Sequence, residues 1–304
     1  MIAALLGLIA QVLHIALMLA AAPLLAGLMR WARARRLGHA GPALLQPWRD
    51  LMRLARKQPV VGEGTSVLFT AAPLVDFAAS LTAAALVPSF ARGMATAPAA
   101  DVLVVFGLLA LARVTLALAA MDAGTAPGGL AAGRAMTLAA LAEPVLLLTV
   151  FALALAAGTT NIDLIATRVV RGTSGPHAGI GLALVALLMV MPDSTEPAAL
   201  RHDHSGRHLA LAEGAAWLRA LAMLSLTAAA FVPYGMAEAA GLPLLWPLGL
   251  LAWGVKVVVL ALGFAALDSL RAAPALARIA GFSTVALALA LLAAILLCVA
   301  QGVA

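Results

Sequence analysis

The sequence predicts an all-α fold, a polytopic transmembrane bundle of about eight helices with an amphipathic helix on the cytoplasmic surface between the first and second. Of the 304 residues, 64% are hydrophobic and only 11% are charged. This balance is typical of membrane proteins and atypical of soluble domains. The apolar residues also fall into runs of about the 20 residues that a bilayer requires. We therefore expect a single integral membrane domain over residues 1–304.

Eight apolar runs account for the predicted spans. They lie at residues 2–29, 66–90, 102–121, 136–157, 177–191, 209–233, 243–267 and 276–300. The fifth run is short, which suits a thinned or protein-buried position. The first run has no basic residues before it and continues to Arg30, so we predict a retained span and not a signal peptide.

Residues 44–57, between the first two runs, are basic and amphipathic. On a helix, one face is apolar and consists of Leu44, Leu45, Trp48, Leu51, Met52 and Ala55. The other face is polar and consists of Gln46, Arg49, Asp50, Arg53, Arg56 and Lys57. Such a helix is expected to lie at a membrane surface, with Pro47 in its first turn.

The basic residues predict the orientation, because Lys and Arg are retained on the cytoplasmic side. With eight spans, one side receives Arg30, Arg33, Arg35, Arg36, Arg49, Arg53, Arg56, Lys57, Arg134, Arg201, Arg207, Arg271 and Arg278. The other side receives only Arg92, Arg168 and Arg171. We therefore expect both termini on the outer side, and we attribute the net charge of +6 to cytoplasmic loops and not to nucleic-acid binding.

Ionisable residues also occur within the apolar runs, where each charge costs roughly 2.5–3.5 kcal/mol at the bilayer centre. They are Asp76, Arg113, Glu143, Glu213, Arg219 and Lys256, with Asp122 at the end of a run. Separated acids and bases inside a bundle suit a proton or ion relay. The alternative is structural: Arg113 and Arg219 pair with acids to lock helices together, and Lys256 snorkels to an interface.

The remaining signals are weaker. The single cysteine, Cys298, excludes an intrachain disulfide, a paired-cysteine metal site and an iron–sulfur cluster held by this chain alone. The glycine-rich residues 124–133 lack the Gly-Lys-Ser/Thr ending of a phosphate loop. His202, Asp203, His204 and His208 bring metal-ligand types together, but we favour a solvated loop or a pH-sensitive contact over a metal site.

Five loop motifs resemble the subunit 1 family of respiratory NADH:quinone oxidoreductase (complex I), and most closely its branch in hydrogenase-4 and formate hydrogenlyase membrane arms. They are GPALLQPWRDL at 41–51 followed by Lys57, EGTS at 63–66, MDAGTA at 121–126 with Gly128 and Gly129, RAMTL at 134–138, and SGRHLALAE at 205–213. The resemblance extends from about residue 40 to about residue 260. The family is also eight-helical, which agrees with the number of apolar runs.

The resemblance implies a non-catalytic membrane subunit of an oxidoreductase complex in a bacterial or archaeal plasma membrane. It would dock cytoplasmic hydrogenase-like large and small redox subunits and lead to antiporter-like membrane subunits. Iron–sulfur clusters and a nickel–iron centre would belong to those partners, with no cofactor or metal bound by this chain alone. The residues matching the family's buried charges are Glu143, Glu213, Arg219 and Lys256; the predicted relay adds Asp122, Arg113, Asp76 and Asp203. Gln46, Arg49, Asp50 and Arg53 would contact the cytoplasmic partner.

The chain also departs from the family. Its loop at 192–207 is shorter than the acidic loop of family members, Gly214 replaces the branch's usual tryptophan, and Asp76 matches no family position. Asp203 keeps the place of the family's acid before Ser-Gly. Three functions stay open at this point: a subunit that couples electron transfer to proton or sodium translocation, a non-coupling membrane anchor, and a stand-alone ion transporter.

Overall fold

The protein is a bundle of long helices joined by short loops. A computed structural model describes residues 2–172, 177–194, 198–270, 276–300 and 302. The helices are α1 (Ile2–Arg36), α2 (Gln46–Ala55), α3 (Val67–Leu86), α4 (Val102–Asp122), α5 (Ala126–Ala157), α6 (Ile162–Val170), α7 (His177–Ser194), α8 (Gly206–Phe231), α9 (Trp246–Leu270) and α10 (Leu276–Ala300). Two short strands, β1 (Ala91–Arg92) and β2 (Ala237–Glu238), pair in parallel.

The predicted transmembrane bundle is confirmed. Within the described residues, seven helices are long and apolar enough to cross a membrane. The fifth predicted span corresponds to α7, whose described apolar stretch Gly179–Met189 is shorter than the others. Of the predicted short loop at 192–207, residues 195–197 lie outside the described part of the chain.

Helix α2 forms in the segment where the amphipathic pattern predicted a helix and packs against α1 and α8, but only part of its apolar face is covered. Gly27 permits the approach, because a Cβ there would lie 2.1 Å from the carbonyl oxygen of Leu44. The indole Nε1 of Trp48 donates to the carbonyl of Ala20, 3.3 Å away. Leu44, Leu45 and Met52 remain 48%, 53% and 55% exposed, which suits contact with lipid or with another subunit.

Two carboxylates at one end of the bundle join loops that are distant in sequence. Asp122, at the end of α4, accepts hydrogen bonds from the backbone N–H and the hydroxyl of Ser66 at 2.8 and 2.9 Å. Ser66 in turn caps α3 by accepting from the Leu68 N–H. The hydroxyl of Thr125, the N-cap of α5, donates to Asp203 at 3.0 Å.

A second pair of contacts joins the loop after α2 to the start of α8. Ser205 accepts from the Val60 N–H at 2.7 Å and donates to the Val60 carbonyl at 3.2 Å, and the Arg207 N–H donates to the Lys57 carbonyl at 3.1 Å. Gly206 has φ +51°, and a Cβ there would lie 2.4 Å from the carbonyl oxygen of Gln58. We call the three segments at residues 57–66, 121–128 and 201–207 the motif junction, because three of the five family-like motifs, at 63–66, 121–126 and 205–213, meet there.

The opposite end of the bundle is closed by β1, β2 and α6. Residues Ala91 and Arg92 pair with Ala237 and Glu238. Asp163, in the first turn of α6, accepts a hydrogen bond from the Gly93 N–H at 2.9 Å, which ties α6 to this strand pair. This end carries the residues that the charge distribution predicted to face outward.

Two features of this fold differ from the sequence prediction. Helix α5 begins at Ala126, ten residues before the predicted span, because Thr125 caps it and Pro127 occupies its first turn. The supposed glycine-rich loop is therefore helical from Ala126. Helix α6 was not predicted, although Asn161 accepts a capping hydrogen bond from Leu164 N–H.

Candidate functional site: an arginine-lined cavity

A cavity of about 460 Å³ lies inside the bundle, between α1, α4, α5 and α8. Most of its lining is apolar and includes Met29, Phe106, Leu146 and Trp217. Five arginines and one glutamate also reach it. They are Arg30, Arg33, Arg113, Arg201, Arg219 and Glu143. A buried charge in a membrane span is costly unless an opposite charge or hydrogen bonds compensate it. The contacts of these six side chains therefore determine the chemistry of the cavity.

The deepest ion pair joins α8 to α3. The Arg219 guanidinium forms an ion pair and hydrogen bond with Asp76, and it donates a further hydrogen bond to the Ser80 hydroxyl at 2.9 Å. The Asp76 side chain is 0% exposed and that of Arg219 is 11% exposed. Both charges are thus removed from water, and each depends on the other for its stability.

A second ion pair joins α4 to α5 on the open side of the cavity. Arg113 Nη1 lies 3.8 Å from Glu143 Oε1. The Arg113 side chain is 9% exposed, whereas that of Glu143 is 51% exposed. Glu143 is therefore a carboxylate within a predicted span that remains open to whatever occupies or surrounds the cavity.

A third cluster gathers around Glu213 of α8. Arg201, in the short 3₁₀ turn Ala198–Arg201, donates to Glu213 at 3.2 Å, and Arg30 of α1 lies 4.0 Å from the same carboxylate. The Arg30 guanidinium also lies 5.6 Å from the ring centroid of Trp217, a cation–π contact. Glu213 thereby links the end of α1 to the turn that precedes α8.

The chemistry of these groups divides the predicted relay into two roles. An arginine stays protonated in proteins, so Arg113 and Arg219 can position and stabilise carboxylates but cannot release a proton. A carboxylate can gain and lose a proton, which makes Glu143 and Glu213 the groups able to carry one. Asp76 is the third carboxylate of this set, and it is completely enclosed by its partners.

Three of the predicted relay residues lie away from the cavity. Asp122 and Asp203 lie in the motif junction, where they accept the hydrogen bonds from Ser66 and Thr125. Lys256 of α9 donates to the backbone carbonyl of Tyr234, in the loop that follows α8. These contacts give all three residues a structural role in the described part of the chain.

The four predicted docking residues lie together on α2. Asp50 accepts from the Gln46 amide at 3.1 Å and from Arg53 at 3.2 Å, and Arg49 is exposed. The side chain of Arg53 is 67% exposed. The polar face of α2 is therefore free for contact with another subunit while its other side packs against α1 and α8.

His204 is a buried ring in the motif junction. It stacks on Phe69 with ring centroids 4.3 Å apart and is only 3% exposed. Burial, with a smaller contribution from His208, lowers the pKa of His204 to about 4 against the opposing effect of Asp203, so the ring is neutral at physiological pH. Among the residues described, no group of three or more His, Cys, Asp or Glu side chains is arranged to hold a metal ion.

Three cavity arginines were missed as site residues because the sequence assigned them to loops. Arg30 and Arg33 counted only as cytoplasmic charges, yet α1 continues to Arg36 and brings both to the cavity. Their three-residue spacing, which places them on one helix face, was an available signal. Nothing local in the sequence indicates that Arg201 pairs with Glu213.

Comparison with known proteins identifies the family. The family model for NADH dehydrogenase matches residues 8–301. The chain belongs to this family. Hydrogenase-4 component C of Escherichia coli K12 is 32% identical over 228 residues, which cover 71% of this chain and 72% of that one. Formate hydrogenlyase subunit 4 of the same organism is 30% identical over 259 residues, covering 80% of this chain and 84% of that one.

A solved structure shows the same fold. A chain from the membrane-bound sulfane sulfur reductase, an archaeal respiratory membrane complex, aligns with a TM-score of 0.82, at 19% identity, over 95% of this chain and 98% of its own length. The predicted family and the predicted role, a membrane subunit of a complex I-like or hydrogenase-like oxidoreductase, are therefore confirmed. The roles of individual residues stay predictions.

Proposed function

We propose that this subunit couples electron transfer in partner subunits to proton translocation, through the carboxylates that meet the arginine-lined cavity. The observation that carries the proposal is the convergence of three arginine–carboxylate contacts on one cavity: Arg219–Asp76, Arg113–Glu143 and Arg201–Glu213. Glu143 and Glu213 would bind and release the proton. The same carboxylates could serve sodium instead, since they are oxygen ligands.

Coupling through such contacts has a simple electrostatic basis. A proton that binds Glu143 neutralises the carboxylate opposite Arg113, and the field at the neighbouring pairs then becomes more positive. A change of charge at the partner's redox centre would act in the same way from the other side. Lys256, Asp122 and Asp203 would act outside this cavity, so we assign Glu143 and Glu213 the principal roles.

Replacement of Glu143 by Gln tests this function. The amide keeps the size of the side chain but cannot take up a proton at physiological pH, so we expect proton translocation by the reconstituted complex to be lost. Redox activity with artificial electron acceptors should persist. The measurement is acidification of proteoliposomes containing the purified complex, in parallel with acceptor reduction.

Glu238→Gln is the matched control, because Glu238 also pairs with an arginine, Arg92 at 3.7 Å, but at the opposite end of the bundle. Translocation should be unchanged there. If Glu143→Gln pumps normally, the coupling role is refuted. If the variant loses assembly instead, the subunit is the non-coupling anchor that the sequence left open.

The partners implied by the family resemblance fit the exposed face of α2. We propose that cytoplasmic hydrogenase-like large and small subunits dock there, that antiporter-like subunits bind within the membrane, and that any iron–sulfur or nickel–iron centre belongs to those chains. We also propose that both termini lie on the outer side of a bacterial or archaeal plasma membrane, because the basic residues predict this orientation. A stand-alone ion transporter is the less supported hypothesis, because the relatives of this chain are named as a component and a subunit of larger enzymes.

Charge reversal on α2 tests the docking face. Arg49→Glu/Arg53→Glu should detach the cytoplasmic subunits during purification, because it places negative charge where a complementary partner meets a basic face. Arg171→Glu, at the exposed end of α6, is the control and should leave the complex intact. Loss of affinity for anionic lipid alone, with all subunits retained, would show that α2 only rests on the membrane.

A further inference from the structure

Lys256 is a cation near the middle of a membrane-spanning helix, away from the arginine-lined cavity. The part of α9 that is apolar enough to cross a membrane begins at Pro243 and ends at Ala266. At 1.5 Å per residue, the backbone of Lys256 is about 15 Å or more from either end of this span. A lysine side chain reaches the membrane surface from positions near the end of a helix, but not from this depth.

The ammonium group of Lys256 is bound by backbone and not by a carboxylate. It donates to the carbonyl of Tyr234, and in the described part of the chain it has no ion pair. Asp268 lies twelve positions further along α9, about 18 Å away. The turn before α8 is at the other end of that helix, whose 26 residues extend about 39 Å. A cation at this depth requires a counter-charge, which therefore has to come from outside the chain.

The segment that follows α8 lies beside Lys256 and is not helical. Its Tyr234 contacts Lys256, and a Cβ at its Gly235 would lie 3.0 Å from the Cβ of Ala252 on α9. The side chains of Val232 and Tyr234 are 45% and 57% exposed. Irregular backbone within the membrane faces protein or a water-filled space, and not lipid. Because the exposed side chains here are largely apolar, a protein cover fits this segment better than water.

The same side of α9 has the spacing of a helix-packing surface. Lys256, Val259 and Gly263 share one side because they are three and seven positions apart. Val259 is 62% exposed, and a Cβ at Gly263 would meet no atom within 4 Å. Small residues permit the close approach of a second helix in a membrane. We call the surface formed by these three residues with Val232 and Tyr234 the lysine flank.

We propose that the lysine flank receives a transmembrane helix of another membrane subunit, and that an aspartate or glutamate of that helix pairs with Lys256. Charge complementarity selects this occupant. An acyl chain would cover the apolar residues but leave the ammonium without a counter-charge, and a lipid headgroup stays at the membrane surface. The proposal rests on the proposed association of this chain with other membrane subunits and does not depend on the coupling role of Glu143.

Replacement of Lys256 by Met tests the ion pair. Met is similar in length but uncharged, so a lysine that faced lipid would be replaced without loss of a subunit. We expect Lys256→Met to retain the neighbouring membrane subunit at least about tenfold less, which corresponds to about 1.4 kcal/mol, because the partner's carboxylate is left unpaired. Lys256→Arg keeps the charge and should retain that subunit. The measurement is the subunit composition of the detergent-purified complex by quantitative mass spectrometry.

The packing of the partner helix is tested without a change at Lys256. Gly263→Leu adds bulk to the lysine flank and should also deplete the neighbouring subunit. Gly254→Leu is the matched control. Gly254 precedes Lys256 by two positions and therefore projects from the other side of α9, and a Cβ there would likewise meet no atom within 4 Å. This pair of variants decides the question if Lys256→Met does not assemble.

The partner's carboxylate can be identified in the wild-type complex. Dicyclohexylcarbodiimide enters the bilayer and activates a carboxylate, and an adjacent amine then displaces dicyclohexylurea to form an amide. We expect a link between Lys256 and an aspartate or glutamate in a membrane segment of another subunit, located by mass spectrometry of the peptides. Lys256→Arg should lack this link while keeping the subunit, because a guanidinium does not form the amide.

Retention of every membrane subunit by both Lys256→Met and Gly263→Leu would overturn the proposal. Equal loss in Gly254→Leu, or a link from Lys256 to this chain or a second copy of it, would do the same. Modification of Lys256 in the intact complex by a water-soluble amine reagent would show that the flank lines an aqueous crevice instead. A wild-type complex without another membrane subunit would refute the association itself, whereas the coupling role is decided separately by proton movement in Glu143→Gln.

Discussion

The end of the bundle that is closed by β1, β2 and α6 and the arginine-lined cavity bury polar groups in opposite ways. We call this end the outer end, because the charge distribution predicts that it faces outward. There, α1 approaches the end of α3 through neutral side chains. His14 Nε2 donates to the carbonyl of Ala84 at 3.0 Å, and its Nδ1 therefore accepts from the Ser89 hydroxyl, 2.7 Å away. Gln11 donates to the carbonyl of Ala85 at 3.0 Å. These two carbonyls lie in the last turn of α3, where no intrahelical N–H is available.

In the cavity, the buried polar groups are charged and form ion pairs. Its guanidinium ions and the carboxylates that they contact lie on five helices, α1, α3, α4, α5 and α8, and on the 3₁₀ turn before α8, and they do not simply complete the ends of helices. A neutral network in which each group has a partner stabilises one conformation. Ion pairs around an open cavity are a poorer means of stabilisation, but their carboxylates are groups that can take up a proton. This difference is what the proposed coupling role requires of the cavity.

Removal of one charge from the cavity should have the largest effect. In Asp76→Asn the Arg219 guanidinium keeps a neutral hydrogen-bond partner but loses its buried counter-charge. Breaking a buried pair in this way costs about 3–5 kcal/mol. We expect a corresponding loss of thermal stability of the purified complex, measured by the midpoint of subunit dissociation or by tryptophan fluorescence.

Ser80→Ala is the control for this pair, because the Ser80 hydroxyl contacts both Arg219 and Asp76 without charge. It should cost about 1.5–3 kcal/mol, the usual contribution of a hydrogen bond to a charged group, and therefore less than the loss of the buried charge. If Asp76→Asn and Ser80→Ala are equally stable, the buried charge contributes nothing beyond its hydrogen bonds. The contrast between the charged cavity and the neutral outer end would then be refuted.

Disruption of the outer network should have a smaller effect and no effect on function. His14→Leu removes two hydrogen bonds and leaves the Ala84 carbonyl buried, which costs about 1–3 kcal/mol. Proton translocation per surviving complex should equal that of the wild type. Thr82→Ala, which removes a hydroxyl that donates only to the carbonyl of Ala78 in its own helix, provides the baseline. Loss of translocation in His14→Leu would show that the outer end also takes part in function.

The sequence was sufficient for the fold because apolar length and amphipathic spacing are local properties. The eight runs and the helix at 44–57 followed from them directly. Helix α6 was missed because it is only nine residues long and lies between two longer apolar helices. The early start of α5 was missed because glycines usually mark loops, whereas Gly128 is small to admit the Ala120 carbonyl and Asp203, which would lie 2.6 and 2.7 Å from a Cβ.

The candidate site was only partly predictable, because ion pairs depend on which helices become neighbours. The cost of burial singled out Asp76, Arg113, Glu143 and Arg219 correctly as charges within spans. It could not show that Asp76 pairs with Arg219 across 143 positions of the chain. Asp122 was also counted in the predicted relay, yet it lies at the end of α4 and accepts hydrogen bonds from Ser66.

The smallest effect is expected from a charge at the outer end itself. Burial raises the pKa of Asp163 above its ordinary value of 3.8, while the Gly93 N–H and Arg92 oppose the shift. The raised pKa means that the folded state favours the protonated carboxyl. The stability that this group contributes is therefore complete below the unfolded pKa and is lost as the pH rises through the folded pKa.

Asp163→Asn should remove this loss. At pH values above the folded pKa of Asp163, we expect the variant to be more stable than the wild type by about 0.5 kcal/mol or less. Thermal unfolding of the complex at pH 4 to 7 measures this difference in stability. Asp101→Asn is the comparison, because Asp101 caps α4 by accepting the Leu103 N–H. A negative charge is stabilising at the N-terminus of a helix, so its removal should lower stability at pH 7. If Asp163→Asn instead destabilises the complex at pH 7, the Gly93 and Arg92 contacts outweigh burial, and the outer end uses charge in the same way as the cavity.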